Sequence, residues 1–329
     1  MKLEEIGFYT LSDKRAENLS ATSPMMRCEM MVTPRCNFKC PYCRGYKTIS
    51  EDCSKDLSFE KASETLNIWI EDGLRNVRFS GGEPTLYEHL VDLVKICKDG
   101  KVQRIAISSN GSASFDLYEK LVEAGVNDFS ISLDSCCSSF GNAMTGVKGN
   151  QWEKVIENLP KLSKLSYVTV GVVLTEENVH QTKEIIEFAH GLGVADIRII
   201  SAAQYNRLIE GLEGLDKNIL ESHPILKYRV DHLAEGRNVR GIQESDCPKC
   251  YLVKDDSVVA GSGDNAWHFP CVIAMREGCK AIGKVGKNMR QERLDWFERH
   301  NSFDNPICRK NCLDVCIDYN NKCVDYETH

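Results

Sequence analysis

Six short apolar runs rich in β-branched residues alternate with amphipathic stretches over the first two thirds of the chain, and this alternation restricts the fold more than any other feature. The runs cover 27–33, 76–80, 103–108, 128–133, 167–175 and 196–201. Helical patterns cover 58–71, 86–98, 115–124, 152–162 and 179–191. Ser58 and Glu60 at the head of the first helical stretch, and Gly73 just past its end, are start and stop signals. Strands separated by helices of this length predict an α/β fold of parallel strands with right-handed crossovers. Such units can curl into a partial (β/α)6 TIM-like barrel, where ligands gather at the carboxyl ends of the strands.

The pattern degrades after about residue 206. The expected organisation is an N-terminal extension over 1–26, the barrel over 27–206, a helical connector over 207–240, and a small cysteine-rich C-terminal domain over 241–329. Part of that last domain's core would be replaced by iron–sulfur clusters. The net charge is −7 with both signs interspersed, so no nucleic-acid partner is expected. No stretch approaches the ~18 apolar residues of a spanning helix, and the first residues are too polar for a signal peptide. A cytoplasmic protein with no membrane contact is the expectation.

Sixteen of the 329 residues are cysteine. A disulfide framework is disfavoured in a cytosolic protein of this size, which turns attention to metal ligation. Cys36, Cys40 and Cys43 form a CxxxCxxC loop directly after the first strand. Three thiolates on one loop can ligate three irons of a 4Fe-4S cubane and leave the fourth iron open. The alternative is a zinc site, which would normally require a fourth ligand. Cys247, Cys250, Cys271, Cys279, Cys308, Cys312, Cys316 and Cys323 supply eight more thiolates, enough for one or two auxiliary 4Fe-4S clusters. Zinc in this tail, or Cys279 as a bystander, remains open. Cys28, Cys53, Cys97, Cys136 and Cys137 read as packing or loop residues.

Beyond the cysteine loop, Phe79-Ser80-Gly81-Gly82-Glu83-Pro84 ends the second run, Ser108-Ser109-Asn110-Gly111 follows the third, and Ser130-Ile131-Ser132-Leu133-Asp134 forms the fourth. Together these motifs resemble the radical S-adenosylmethionine (SAM) superfamily across roughly 27–201. The resemblance implies that the open iron chelates SAM and that Ser80, Gly81, Gly82 and Glu83 hold its methionine moiety. Tyr42 would lie near the adenine, and Ser108, Ser109, Asn110 and Ser132 would be further cofactor contacts. It also implies reductive cleavage of SAM to a 5′-deoxyadenosyl radical that abstracts a substrate hydrogen, fed by an external one-electron donor such as flavodoxin or ferredoxin.

Within the superfamily, Thr33-Pro-Arg-Cys36-Asn-Phe-Lys-Cys40, Leu57-Ser-Phe-Glu60 and Ser132-Leu-Asp134-Ser135 are similar to the molybdenum-cofactor GTP cyclases. That family places a triphosphate-binding arginine where this chain has Glu29, and a lysine where it has Asn76. Closely spaced arginines follow its C-terminal CxxC, whereas Cys250 is followed by Tyr251-Leu-Val-Lys-Asp-Asp. A carboxylate facing a triphosphate costs on the order of several kcal/mol in a low-dielectric pocket, so GTP cyclisation is not expected. Glu29, Arg78 and Arg198 are the candidate substrate-binding residues.

The tail around Phe269-Pro-Cys271, Ala281-Ile-Gly-Lys-Val285 and Cys308-x3-Cys312-x3-Cys316 is similar to the SPASM/twitch extension, although its spacing departs from the usual one. That resemblance implies an oxidoreductase of maturase type, oxidising a peptide or protein side chain. A small-metabolite substrate is the alternative, and a non-catalytic iron–sulfur electron carrier is the third.

Overall fold

The structure is a computed structural model, and it describes residues 13–45, 47–203, 205, 209, 212 and 214–327. Residues 1–12 of the expected N-terminal extension and 207, 208, 210, 211 and 213 of the expected connector lie outside that set. Among the described residues there are nine strands: β1 (Arg27–Thr33), β2 (Asn76–Gly81), β3 (Arg104–Ser109), β4 (Asp128–Ser132), β5 (Tyr167–Leu174), β6 (Asp196–Ser201), β7 (Asp256–Ser262), β8 (Asn265–Phe269) and β9 (Gly283–Lys284). The first six match the six apolar runs. With their intervening helices they are the β/α units of a partial (β/α)6 TIM-like barrel.

The chain divides into two compact units. One comprises the described parts of 1–35, 44–105 and 240–329; the other comprises 36–43 and 106–239.

In the first unit the strand order is β2-β1-β7-β8-β9. β1 pairs in parallel with β2 on one side and β7 on the other, while β7, β8 and β9 are antiparallel to one another. The expected separate domain over 241–329 is thus grouped with the start of the barrel, and its strands extend the ladder from β1. The helix Phe59–Glu71 begins where Ser58 Oγ accepts from Lys61 N, and it buries Ala62, Thr65, Leu66 and Trp69 at helical spacing. Each fully buried large side chain there contributes roughly 1.5–3 kcal/mol. A second core joins Met31, Ile49, Cys53, Val258, Ala260, Phe269 and Met275, so the apolar face of β7 packs as that of a barrel strand does.

Buried charge secures this unit. Arg15 pairs with Asp255 and Asp256, and Arg27 pairs with Asp256. Arg293 is only 2% exposed; it donates to Val253 O and Phe269 O at 3.0 Å and also bonds Asp256 O. Carbonyl groups before and at the start of β7 and at the end of β8 are satisfied this way.

In the second unit β3, β4, β5 and β6 form a parallel ladder. In β4, Phe129 and Ile131 are fully buried on one face; on the other, Asp128 and Ser130 are buried as well and Ser132 is exposed. A helix over Ser138–Thr145, which periodicity does not single out, follows β4 and ends at Gly146 with φ +67°.

Candidate active site

The cysteine loop is anchored at its base through the chain that precedes it. Gly82 N donates to Thr33 O and Glu83 N donates to Arg35 O, both at 2.7 Å. A Cβ on Gly82 would stand 2.2 Å from Arg35 O, so only glycine permits this approach. Asp56 accepts from Thr33 Oγ1 at 2.5 Å and from Arg35 Nε at 3.1 Å. Although burial pushes the other way, the Arg35 and Thr33 hydrogen bonds hold the Asp56 carboxyl below its usual range. Arg35, the residue before Cys36, is therefore gripped from the GGEP turn and from Asp56 together.

The loop Cys36–Cys43 is pinned at three further points in the second unit. Asn110 Nδ2 donates to Asn37 Oδ1 at 2.7 Å, and Asn37 Nδ2 donates to Ser112 Oγ at 2.9 Å. Lys39 N donates to Thr145 O at 2.7 Å, and a Cβ on Gly146 would meet Lys39 O at 2.1 Å. Tyr42 Oη donates to Asp134 Oδ2, whose Oδ1 accepts from Val173 N at 2.7 Å. Burial lifts the Asp134 carboxyl to about 6, despite those two hydrogen bonds.

Held in this way, Cys36 and Cys43 are exposed and Cys40 half-buried, all three as free thiols. Phe38 N donates to Cys36 Sγ at 3.4 Å. Burial, then Asp134, then the neighbouring Cys43 and Cys36 raise the Cys40 thiol to about 12, which places the three sulfurs within electrostatic reach. Among the described residues, no three His, Cys, Asp or Glu converge tightly enough for a single metal ion. Three thiols on one pinned loop, two exposed and one half-buried, with Cys36 Sγ already accepting a backbone N–H, instead fit a cubane that offers each thiolate its own iron.

The other expected cofactor contacts differ in accessibility. Glu83 is buried, and its Oε1 accepts from Thr85 N and Thr85 Oγ1 at 3.1 and 2.8 Å, capping the turn Pro84–Leu86. Ser80 Oγ donates to Glu29 Oε1 at 2.6 Å, and Gly81 lies in the left-handed region at φ +149°. Ser108 and Asn110 are half-buried and Ser132 exposed. Ser109 is buried, 3.1 Å from Tyr118 Oη and accepting from Gly111 N, so its hydroxyl holds the turn after β3.

Of the candidate substrate residues, Glu29 and Arg78 stand opposite each other in the β1–β2 register within the first unit. Arg198 belongs to the second unit, over Gly171, where a Cβ would lie 3.2 Å from its Nη2. Burial and the Arg229 guanidinium lower Arg198 to about 10.

In the C-terminal part, electrostatic reach joins Cys250, Cys271, Cys279, Cys308, Cys312 and Cys316. Burial raises all six thiols first; neighbouring cysteines add to it at five of them, Cys308 reaching about 12 and Cys316 about 11, whereas at Cys271 the Ala274 and Ile273 backbone and Arg27 oppose it. Cys271 Sγ accepts from Ala274 N and Cys247 Sγ from Lys249 N, both at 3.3 Å. Cys323 instead sits at 2% exposure in an apolar cluster with Tyr251, Leu252, Phe297 and Tyr319. Sequence reasoning missed His300, whose Nε2 lies 3.7 Å from Cys308 Sγ. It also missed the anchors Asn37, Asp56 and Asp134. Asn37 lies inside the CxxxCxxC loop and Asp134 inside a quoted motif, yet neither was given a role, whereas His300 and Asp56 belong to no recognisable spacing.

Comparison with known proteins agrees with this geometry. The Radical SAM superfamily description matches residues 30–189. The chain is similar to a probable GTP 3′,8-cyclase of Sulfurisphaera tokodaii, 32% identical over 212 residues, or 61% of this chain and 64% of that protein. It is 31% identical over 173 residues to molybdenum cofactor biosynthesis protein 1 of Drosophila melanogaster, covering 51% of this chain and 30% of that one. The chain thus spans less than two thirds of either relative. Among solved structures, Streptococcus suis SuiB bound to S-adenosylmethionine superposes with a TM-score of 0.56 at 14% identity, covering 84% of this chain and 66% of that one. AnSMEcpe with bound AdoMet and the Cp18Cys peptide gives 0.56 at 13% identity, covering 92% and 97%. No helix among the described residues is long and apolar enough to cross a membrane. Residues 30–189 are thus similar to the Radical SAM superfamily, and the two solved structures share the fold.

Proposed function

We propose that the protein is a radical SAM enzyme whose Cys36, Cys40 and Cys43 hold the SAM-binding 4Fe-4S cluster. With cluster and cofactor bound, one electron from the reduced cluster breaks the S–C5′ bond, giving methionine and a 5′-deoxyadenosyl radical that takes a hydrogen from the substrate. The observation that carries this reading is the cysteine loop itself, gripped at Arg35, Asn37, Lys39 and Tyr42 with Cys36 and Cys43 exposed and Cys40 half-buried. Gly82 keeps backbone close to the base of the loop. Ser80, Gly81 and Glu83 supply polar groups for the methionine end, and Tyr42, Ser108, Asn110 and Ser132 supply them for the nucleoside.

The substrate reading is oxidation of a peptide or protein side chain, with electrons leaving through an auxiliary cluster on the C-terminal cysteines to an external carrier of the flavodoxin or ferredoxin class. Glu29 and Arg78, neighbours across β1 and β2, would bind charged groups of that substrate, with Arg198 as a further cation. Similarity to probable GTP 3′,8-cyclases over 61% of the chain favours the second reading, a small metabolite.

Anaerobically reconstituted protein given dithionite and SAM should release 5′-deoxyadenosine, and Cys36→Ala should abolish it; no product from the parent protein would sink the enzyme reading. Deuterated cell extract divided by ultrafiltration then separates the substrates. Label in 5′-deoxyadenosine from the large fraction alone favours a peptide, and label from the small fraction favours a metabolite. Substrate binding that survives both Glu29→Gln and Arg78→Lys would remove those residues from the site.

A further inference from the structure

Cys308 has two polar neighbours that a single short turn brings to it. His300 closes the helix Met289–Arg299, and its ring stacks on Trp296 with centroids 3.9 Å apart and planes 17° from parallel. Its Nε2 lies 3.7 Å from Cys308 Sγ and 3.3 Å from Ser302 Oγ. Ser302 is buried and its N donates to Pro248 O at 2.7 Å inside the CxxC segment; burial raises the Cys308 thiol, and the Ser302 hydroxyl pulls it the other way. Cys308 N is itself fixed by Asn305 Oδ1 at 3.1 Å. The turn therefore ties the Cys247-Pro248-Lys249-Cys250 segment to Cys308 and aims two side chains at one sulfur. With the ring proton on Nε2, both His300 and Ser302 are donors, and an iron-bound thiolate is a far better acceptor than the thiol.

We propose that His300 and Ser302 donate hydrogen bonds to the Cys308 thiolate of an auxiliary iron–sulfur cluster and thereby raise its reduction potential. The inference rests on the reading that Cys308 ligates such a cluster. Donors aimed at a ligand sulfur stabilise the more negative, reduced cluster. They make His300 and Ser302 positioning residues for electron removal.

The test uses the full chain carrying Cys36→Ala, Cys40→Ala and Cys43→Ala, so that only C-terminal iron remains, with iron and sulfide analysis and a potentiometric titration followed by electron paramagnetic resonance. In this background His300→Phe and Ser302→Ala should each move the midpoint to more negative potential. A tenfold change in the one-electron reduction constant corresponds to about 59 mV. His300→Gln, which keeps an N–H donor, should recover most of the shift. Loaded variants whose midpoints equal the parent's would overturn the inference, as would a changed cluster type in His300→Phe, which would make the histidine a ligand. A triple-alanine parent without iron would instead bring down the auxiliary-cluster reading and this inference with it. Should His300→Phe not fold, Ser302→Ala and His300→Gln decide.

Discussion

The Tyr42 hydroxyl donates to Asp134 Oδ2 at 2.5 Å, joining the aromatic residue between Cys40 and Cys43 to the segment just after β4. Because Asp134 is held in turn by Val173 N, the ring is referenced to two strands of the sheet. Tyr42→Phe keeps the ring and loses the bond, and hydrogen bonds to charged groups contribute ~1.5–3 kcal/mol. SAM affinity and 5′-deoxyadenosine formation should therefore fall about tenfold while iron content is retained. Resonance spectra of the reduced cluster with and without SAM, at matched iron loading, check this. Unchanged SAM affinity would show that the bond serves folding alone.

Three glycines near the loop make a graded series. Gly82→Ala would set a Cβ 2.2 Å from Arg35 O, and Gly146→Ala would combine φ +67° with a Cβ 2.1 Å from Lys39 O. Both displace the loop backbone, so iron bound at Cys36, Cys40 and Cys43 should drop severalfold. Gly45 also has a positive φ, +59°, but nothing lies within 4 Å of its Cβ position, so Gly45→Ala should cost only ~1–2 kcal/mol of backbone strain and keep its iron. Equal iron loss in all three would mean that strain, not close approach, governs the loop.

Among the C-terminal cysteines, burial separates one from the rest. Cys323→Ala removes a thiol from the apolar cluster around Tyr319, and should lower stability by roughly 1 kcal/mol without changing auxiliary iron. Cys250→Ala, Cys271→Ala and Cys316→Ala should each lose auxiliary iron. Iron counts in the background lacking the first three cysteines distinguish the two outcomes.

These contrasts also mark how far sequence reasoning reaches. β1 and β6 coincide with their apolar runs, and the other four barrel strands differ by a residue or so at an end, because a strand buried on both faces needs a continuous apolar run. β7 was not legible: Asp256-Ser-Val-Val-Ala-Gly-Ser is short and polar at both ends, and it becomes a strand only because β1 offers an open partner and Arg27 pairs with Asp256. The cysteine loop and the GGEP turn were legible as spacing. Their rigid placement was not, since Asp56, Asn110, Gly146 and Asp134 reach the loop from 20 to more than 90 positions along the chain. Cys323 read as a ligand like its neighbours, and its burial among Tyr251, Leu252, Phe297 and Tyr319 was not legible, because spacing says nothing of what surrounds a thiol.

Asp196 gives the second unit a pH dependence. Its carboxylate accepts from Ile197 N at 2.8 Å and from Ile225 N at 3.1 Å, capping the helix Pro224–Ala234. Burial nevertheless raises it to about 6 from 3.8, since those bonds only partly offset desolvation. A carboxyl whose folded pKa is raised adds stability that is complete below about pH 4 and is lost as pH rises through about 6. The shift is 6 − 3.8 = 2.2, or about 3 kcal/mol at ~1.36 kcal/mol each. Asp196→Asn cannot ionise, so its stability relative to the parent should rise by up to that amount between pH 4 and pH 7. Parallel urea denaturation of both proteins at fixed ionic strength measures the difference, and a pH-independent gap between them would mean that Asp196 ionises in the fold as it does in the unfolded chain.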